Sequence, residues 1–138
     1  MSKSLDGVLT KKANQQETYT NDQVEDLMKC MDPDTGYLYF ANNFAYIQHP
    51  VEGKLLFNSY EYQDRLMYSY HTHRFNINMM PRQTGKTTCA AIYLCWYAMF
   101  NPDQTILIAA HKYTGAQEIM ARIPVSYTHL RAHETDSH

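Results

Sequence analysis

An α/β fold built on a parallel sheet, with a small helical and hairpin region ahead of it, is what the sequence predicts. Three observations carry that expectation. Phe75, Ile77 and Met79 alternate with Asn76 and Asn78, the period of two that marks a strand. The segment TTCAAIYLCWYAMF has no Gly, Pro or charge and is apolar on every face, as in a helix buried between layers. TILIAA then forms a continuous apolar run, the pattern of a parallel strand covered on both faces. Strand, loop, helix and strand in that order make a βαβ unit, whose crossover is right-handed.

The elements ahead of this unit follow from local signals. Residues 1–20 are polar and poor in apolar side chains, the composition of a mobile arm. Asn21 or Asp22 can cap a helix over NDQVEDLMKC, with Val24, Leu27 and Met28 sharing a face. Asp32-Pro33-Asp34-Thr35-Gly36 is a turn by composition. Segments 45–49 and 54–57 flank Pro50-Val51-Glu52-Gly53 and predict a hairpin. Asn58 followed by Glu61 has the spacing of a capping box opening a helix through Tyr70. Asn101-Pro102-Asp103 ends the apolar helix, since proline cannot continue it. Residues 114–122 have a helical pattern again.

Composition excludes several classes. With 138 residues the chain forms at most one domain with a modest core. Charged residues make up 19% and the net charge is −2, so a nucleic-acid role must rest on a site rather than on bulk charge. The 12 tyrosines argue against a wholly disordered chain. No stretch reaches the apolar length of a membrane helix, and MSKSLDGVLTKK has no signal-peptide core. Cys30, Cys89 and Cys95 form no CxxC pair, which fits free thiols in a reducing compartment. His71 and His73 form an HxH pair without a third ligand nearby, and read as surface or core histidines.

The chemistry concentrates in MMPRQTGKTT, residues 79–88. A bare Gly-Lys-Ser/Thr arises by composition in roughly one chain in fifteen of this length, so the tripeptide alone is weak. The full phosphate-loop pattern also asks for a glycine where Met80 stands. Placement between a strand and a buried helix is the context that supports it. Backbone N–H groups around Thr84, Gly85, Lys86 and Thr87 would then face an anion at the helix start. Gly85 admits close approach of a phosphate. Lys86 would neutralise the β- and γ-phosphates of ATP, and the Thr87 hydroxyl would hold Mg²⁺. The plain alternative is that Gly85 merely starts a helix and Lys86 is solvated.

From FNSYEYQ through RFNINMMPRQTGKTT to AAHK, the chain resembles the N-terminal ATPase region of the large terminase subunit of tailed phages, over roughly residues 24–123. The resemblance implies a partial P-loop NTPase with a RecA-like parallel sheet, belonging to an ATP-driven motor that translocates double-stranded DNA into a capsid. This family's loop commonly lacks the first glycine, so Met80 fits the pattern. Tyr62 and Gln63 match the adenine-recognition motif, Tyr62 stacking on the base and Gln63 reading its edge. Arg82 matches a loop arginine acting on the γ-phosphate, a sound device for spreading transition-state charge. Arg82 and Lys86 are then the catalytic candidates, with Gln83, Thr84, Gly85, Thr87 and Thr88 in the nucleotide cradle. His111 and Lys112, after the second expected strand, are candidates to touch nucleotide or DNA. The resemblance further implies a portal protein and a small terminase subunit as partners, a ring oligomer in the packaging complex, and the cytoplasm of an infected bacterium. The family's acidic Walker B pair and nuclease carboxylates have no counterpart before Ile123. The expectation is weak ATP binding, negligible hydrolysis and poor solubility.

Two other readings stand beside it. Helicase-like P-loop ATPases also place a glutamine motif ahead of the loop, and a small non-enzymatic domain could carry a chance GKT. The tail VSYTHLRAHETDSH places His129 and His133 four apart, as on one helix face. Back-translated with suitable codons, however, it resembles the adapter of transposase-based sequencing libraries. Residues 124–138 are therefore expected to be adapter-derived and excluded from the fold.

Overall fold

A computed structural model describes residues 18–121. The expected adapter-derived segment lies outside them, as does the expected polar arm except for residues 18–20.

Helix α1 (Asn21–Met31) is capped by Thr20 rather than by Asn21 or Asp22. Thr20 Oγ1 accepts from the Gln23 N–H at 3.3 Å, and Gln23 Oε1 accepts from the Thr20 N–H at 2.9 Å. This reciprocal pair satisfies two otherwise orphaned donors. The buried face also differs from the expected one: Val24 and Met28 are exposed, while Cys30 is buried. Tyr39 donates to Asp26 Oδ1 at 2.7 Å, which draws the Asp26–Cys30 side of α1 onto the next helix.

The expected turn follows. Asp32 Oδ1 accepts from the N–H groups of Asp34 and Thr35 at 2.8 and 3.3 Å, an Asx-type turn. It leads directly into α2 (Gly36–Phe44), a helix not anticipated from the sequence. Tyr37, Phe40, Ala41 and Phe44 are its buried stripe, at i, i+3, i+4 and i+7. The hairpin forms as expected, with β1 (Tyr46–His49) antiparallel to β2 (Gly53–Leu56) and Tyr46 opposite Leu56.

Helix α3 (Glu61–Thr72) begins at Glu61, and Asn58 does not cap it. Instead Gln63 Oε1 accepts from the Tyr60 N–H at 3.0 Å. The start of α3 is tied to α2 through Asn42 Oδ1, which accepts from the Ser59 N–H at 2.9 Å. Helix α4 (Lys86–Phe100) starts at Gly85 and ends where the Asn101 N–H donates to Tyr97. Pro102 follows and blocks continuation. Residues 113–121 form a final helix, α5, within the described range.

The core lies between α2, α3 and α4, with Phe40, Met67, Ile92, Cys95 and Trp96 at its centre. Trp96 Nε1 donates to the Cys30 carbonyl at 2.7 Å and joins α4 to the end of α1. His71 stacks on Tyr37 with ring centroids 4.5 Å apart. Its Nε2 meets the Pro33 carbonyl, and its Nδ1 lies 3.2 Å from the Tyr93 hydroxyl. His71 is thus a structural histidine that fastens α3 to the α1–α2 turn. Among the described residues no group of three His, Cys, Asp or Glu could hold a metal, and no helix is long and apolar enough to cross a membrane.

The expected parallel sheet is not found among the described residues, where the sheet is the antiparallel β1–β2 pair. Segments 75–79 and 105–110 carry no ladder. A strand holds only when its N–H and C=O groups and its apolar face are matched by neighbours. Here Ile77 and Met79 are each 94% exposed and Leu107 is 91% exposed, so no second layer covers their pattern. Helix α4 is correspondingly buried on one side only. Cys89, Ile92, Cys95 and Trp96 face the core. On the other side Tyr93, Leu94 and Tyr97 are half-buried along an open groove of about 490 Å³ that also touches Tyr70 and Ile106.

Candidate nucleotide site

Between the exposed segment 75–79 and α4, the chain makes a tight loop with two left-handed residues. Gln83 has φ 63° and Gly85 has φ 77°. For glutamine this region is uncommon and persists only where surrounding contacts enforce it. Alternation of left-handed with ordinary residues is the backbone geometry that turns successive N–H groups toward one point.

Several contacts hold the loop. Thr84 Oγ1 donates to the Pro81 carbonyl at 3.0 Å. Lys86 Nζ donates to the Met80 carbonyl at 3.1 Å. The Gly85 carbonyl accepts the first helical bond of α4, from the Cys89 N–H at 2.9 Å. Two side chains reach in from α3: Tyr62 donates its hydroxyl to the Thr84 carbonyl at 2.8 Å, and Gln63 Nε2 donates to the same oxygen at 3.2 Å.

The expected site residues therefore come together across a sequence gap of some twenty positions. Tyr62 and Gln63 lie against Thr84 and Gly85, and Lys86 and Thr87 occupy the first turn of α4. Arg82 and Gln83 are exposed, while Thr84, Lys86, Thr87 and Thr88 are half-buried. His111 and Lys112 are exposed just before α5, where the Lys112 carbonyl accepts from Gly115. His73, like Arg74, lines the groove beside α4 rather than the loop.

Two features of the site escaped sequence reasoning. Tyr60 stacks on Tyr62 with ring centroids 5.8 Å apart and planes 7° from parallel. The Tyr-x-Tyr spacing ahead of Gln63 is its signal in the sequence. Gln63 is buried, 6% exposed, with both ends of its amide engaged. Its place at the third position of α3 was a legible cap signal.

The donor set suits a phosphate. A helix start, a left-handed glycine and an ammonium belong to one turn, without a carboxylate in that turn. A hydroxyl at Thr87 adds an oxygen ligand of the kind Mg²⁺ takes. The three thiols stand apart from this chemistry. Burial pushes Cys30 and Cys95 up to about 12 and Cys89 up to about 11, so all three are poor nucleophiles.

Residues 77–134 match the family model described as the terminase large subunit, T4likevirus-type, N-terminal. The match begins in the segment before the loop, takes in the whole of MMPRQTGKTT and α4, and runs on beyond the described residues. It bears out the resemblance to the large terminase subunit drawn from these same motifs.

Proposed function

We propose that this chain, a terminase large-subunit sequence over its matched residues, carries the nucleotide-binding elements of a DNA-packaging motor. The observation that carries the proposal is the loop at 79–88, folded at the N-terminus of α4 with its glycine left-handed and its lysine facing back over it. Lys86 binds the β- and γ-phosphates of ATP, and Thr87 holds Mg²⁺ when both are bound. Backbone N–H groups at the start of α4 supply the remaining donors. Arg82 is exposed in the loop and can swing to the γ-phosphate, where its fork spreads developing charge. Tyr62, supported by Tyr60, offers a ring on which adenine stacks.

Within the whole protein these residues belong to a P-loop ATPase with a RecA-like parallel sheet, in which segments 75–79 and 105–110 become strands. Their exposed apolar side chains support that reading. Double-stranded DNA, the portal and the small terminase subunit are the partners of that assembly, in the cytoplasm of an infected bacterium. Hydrolysis also needs a positioned water and an acidic partner for the metal.

Calorimetric titration of the chain with Mg-ATP tests the proposal, with Lys86→Ala as the control. Loss of the charged contact weakens binding about tenfold to a hundredfold. Equal affinity in the two proteins would mean that the loop is an ordinary helix start.

A further inference from the structure

The Thr84 carbonyl accepts two hydrogen bonds from α3, from the Tyr62 hydroxyl at 2.8 Å and from Gln63 Nε2 at 3.2 Å. Gln63 Oε1 is meanwhile taken by the Tyr60 N–H at 3.0 Å. One hydrogen and one lone pair of the amide remain, but Gln63 is 6% exposed and held at both ends, so they are shielded from an incoming base. Gly85 is fitted to the same contact: a Cβ there would lie 2.6 Å from Gln63 Nε2, apart from the cost of its φ of 77°. A side chain there would displace the end of Gln63, a small adjustment, while the positive φ is the stronger demand for glycine.

The Thr84 C=O and the Gly85 N–H belong to one planar trans peptide and point in opposite directions. Whatever anchors the carbonyl on the α3 side therefore aims the N–H at the opposite side, into the cradle. We infer that Gln63, assisted by the Tyr62 hydroxyl, is a positioning residue that sets the phosphate loop through the Thr84 carbonyl, rather than the reader of the base edge. This rests on the phosphate-loop reading and departs from the role that the resemblance implies for Gln63. It makes α3 and the loop one unit, so a displacement of α3 rotates the Gly85 peptide.

Two variants separate the roles. Gln63→Met keeps length and removes both hydrogen bonds; Tyr62→Phe keeps the stacking ring and removes only the bond to Thr84. Each is titrated with Mg-ATP, Mg-GTP and Mg-tripolyphosphate, and ¹⁵N relaxation of the Gly85 and Lys86 amides is recorded without ligand. The expected result is a loss of about tenfold for Gln63→Met and about threefold for Tyr62→Phe, equal for all three ligands. The ATP-to-GTP ratio stays unchanged, and both amides gain mobility in both variants. A loss confined to ATP, with tripolyphosphate unaffected, would assign Gln63 to the base and overturn the inference. So would loop amides whose relaxation is unchanged. If Gln63→Met fails to fold, Tyr62→Phe on an exposed ring decides the question alone. If the unmodified chain takes up none of the three ligands, the phosphate-loop reading falls, while the relaxation data still decide whether α3 sets the loop.

Discussion

Lys86 Nζ donates to the carbonyl of Met80 at 3.1 Å, so the lysine of the loop rests on the residue that replaces the pattern's first glycine. The contact uses only the backbone of Met80. Its side chain turns away and packs against the core cluster. This explains how a loop without that glycine keeps its form: the position supplies a carbonyl to the lysine and an apolar anchor to the core.

Met80→Gly restores the conventional pattern and, on this account, gains nothing in binding. The carbonyl remains and Lys86 keeps its partner, so affinity for Mg-ATP stays within about twofold, since no charged contact changes. Stability falls by about 1–2 kcal/mol, from lost packing of a half-buried side chain and added chain freedom. Thermal unfolding and calorimetry read the two effects separately.

The Cys30 carbonyl gives a second test. It accepts from Trp96 Nε1, and a Cβ built on Gly36 would lie 2.1 Å from its oxygen. That clash is with backbone and cannot be relieved by a rotamer change. Gly36→Ala therefore separates α1 from α2 or breaks the Trp96 bond, at a cost of about 2–4 kcal/mol. Urea unfolding followed by Trp96 fluorescence would show the loss; an unchanged midpoint would contradict this packing.

The thiols predict an alkaline limit. Burial raises Cys30 and Cys95 to about 12 and Cys89 to about 11, from an ordinary 9.0. Above pH 9 the unfolded chain loses these protons while the folded chain keeps them. The unfolded state then binds fewer protons, so stability falls as pH rises from about 9 toward 12. Below pH 9 these groups contribute no slope. At pH 8 the native thiols react with a disulfide reagent far more slowly than after unfolding, and rapid labelling of all three would contradict their burial.

Phe75, Ile77, Met79 and Leu107 are between 83% and 94% exposed. Apolar residues in unpaired extended segments promote association. Light scattering across a concentration series is expected to show growing oligomers, reduced by Ile77→Lys together with Met79→Lys. A clean monomer at high concentration would refute this.

Local signals were legible where they act within a few residues. The Asx turn at Asp32, the hairpin around Pro50–Gly53 and the stop at Pro102 required only neighbouring backbone groups. The helix at Gly36–Phe44 was equally legible in its Tyr37, Phe40, Ala41 and Phe44 spacing, but tyrosine and asparagine obscured it. Cap positions shifted because Thr20 and Tyr60 each pair with a glutamine at the third helical position. The strand patterns at 75–79 and 105–110 are real in the sequence. A strand is a property of its neighbours, however, and pairing cannot be read from one segment. At the site, the residue types were legible, but the joining of Gln63 to Thr84 was not, because it depends on how α3 packs beside α4.

A two-dimensional NMR titration of the chain with Mg-ATP locates the nucleotide site residue by residue. Binding at the loop would shift the 84–88 amides and Tyr62 progressively and leave the hairpin at 46–56 unmoved. Absence of any shift, or shifts confined to the groove beside Tyr70 and Tyr93, would contradict the assignment of this loop as the nucleotide site.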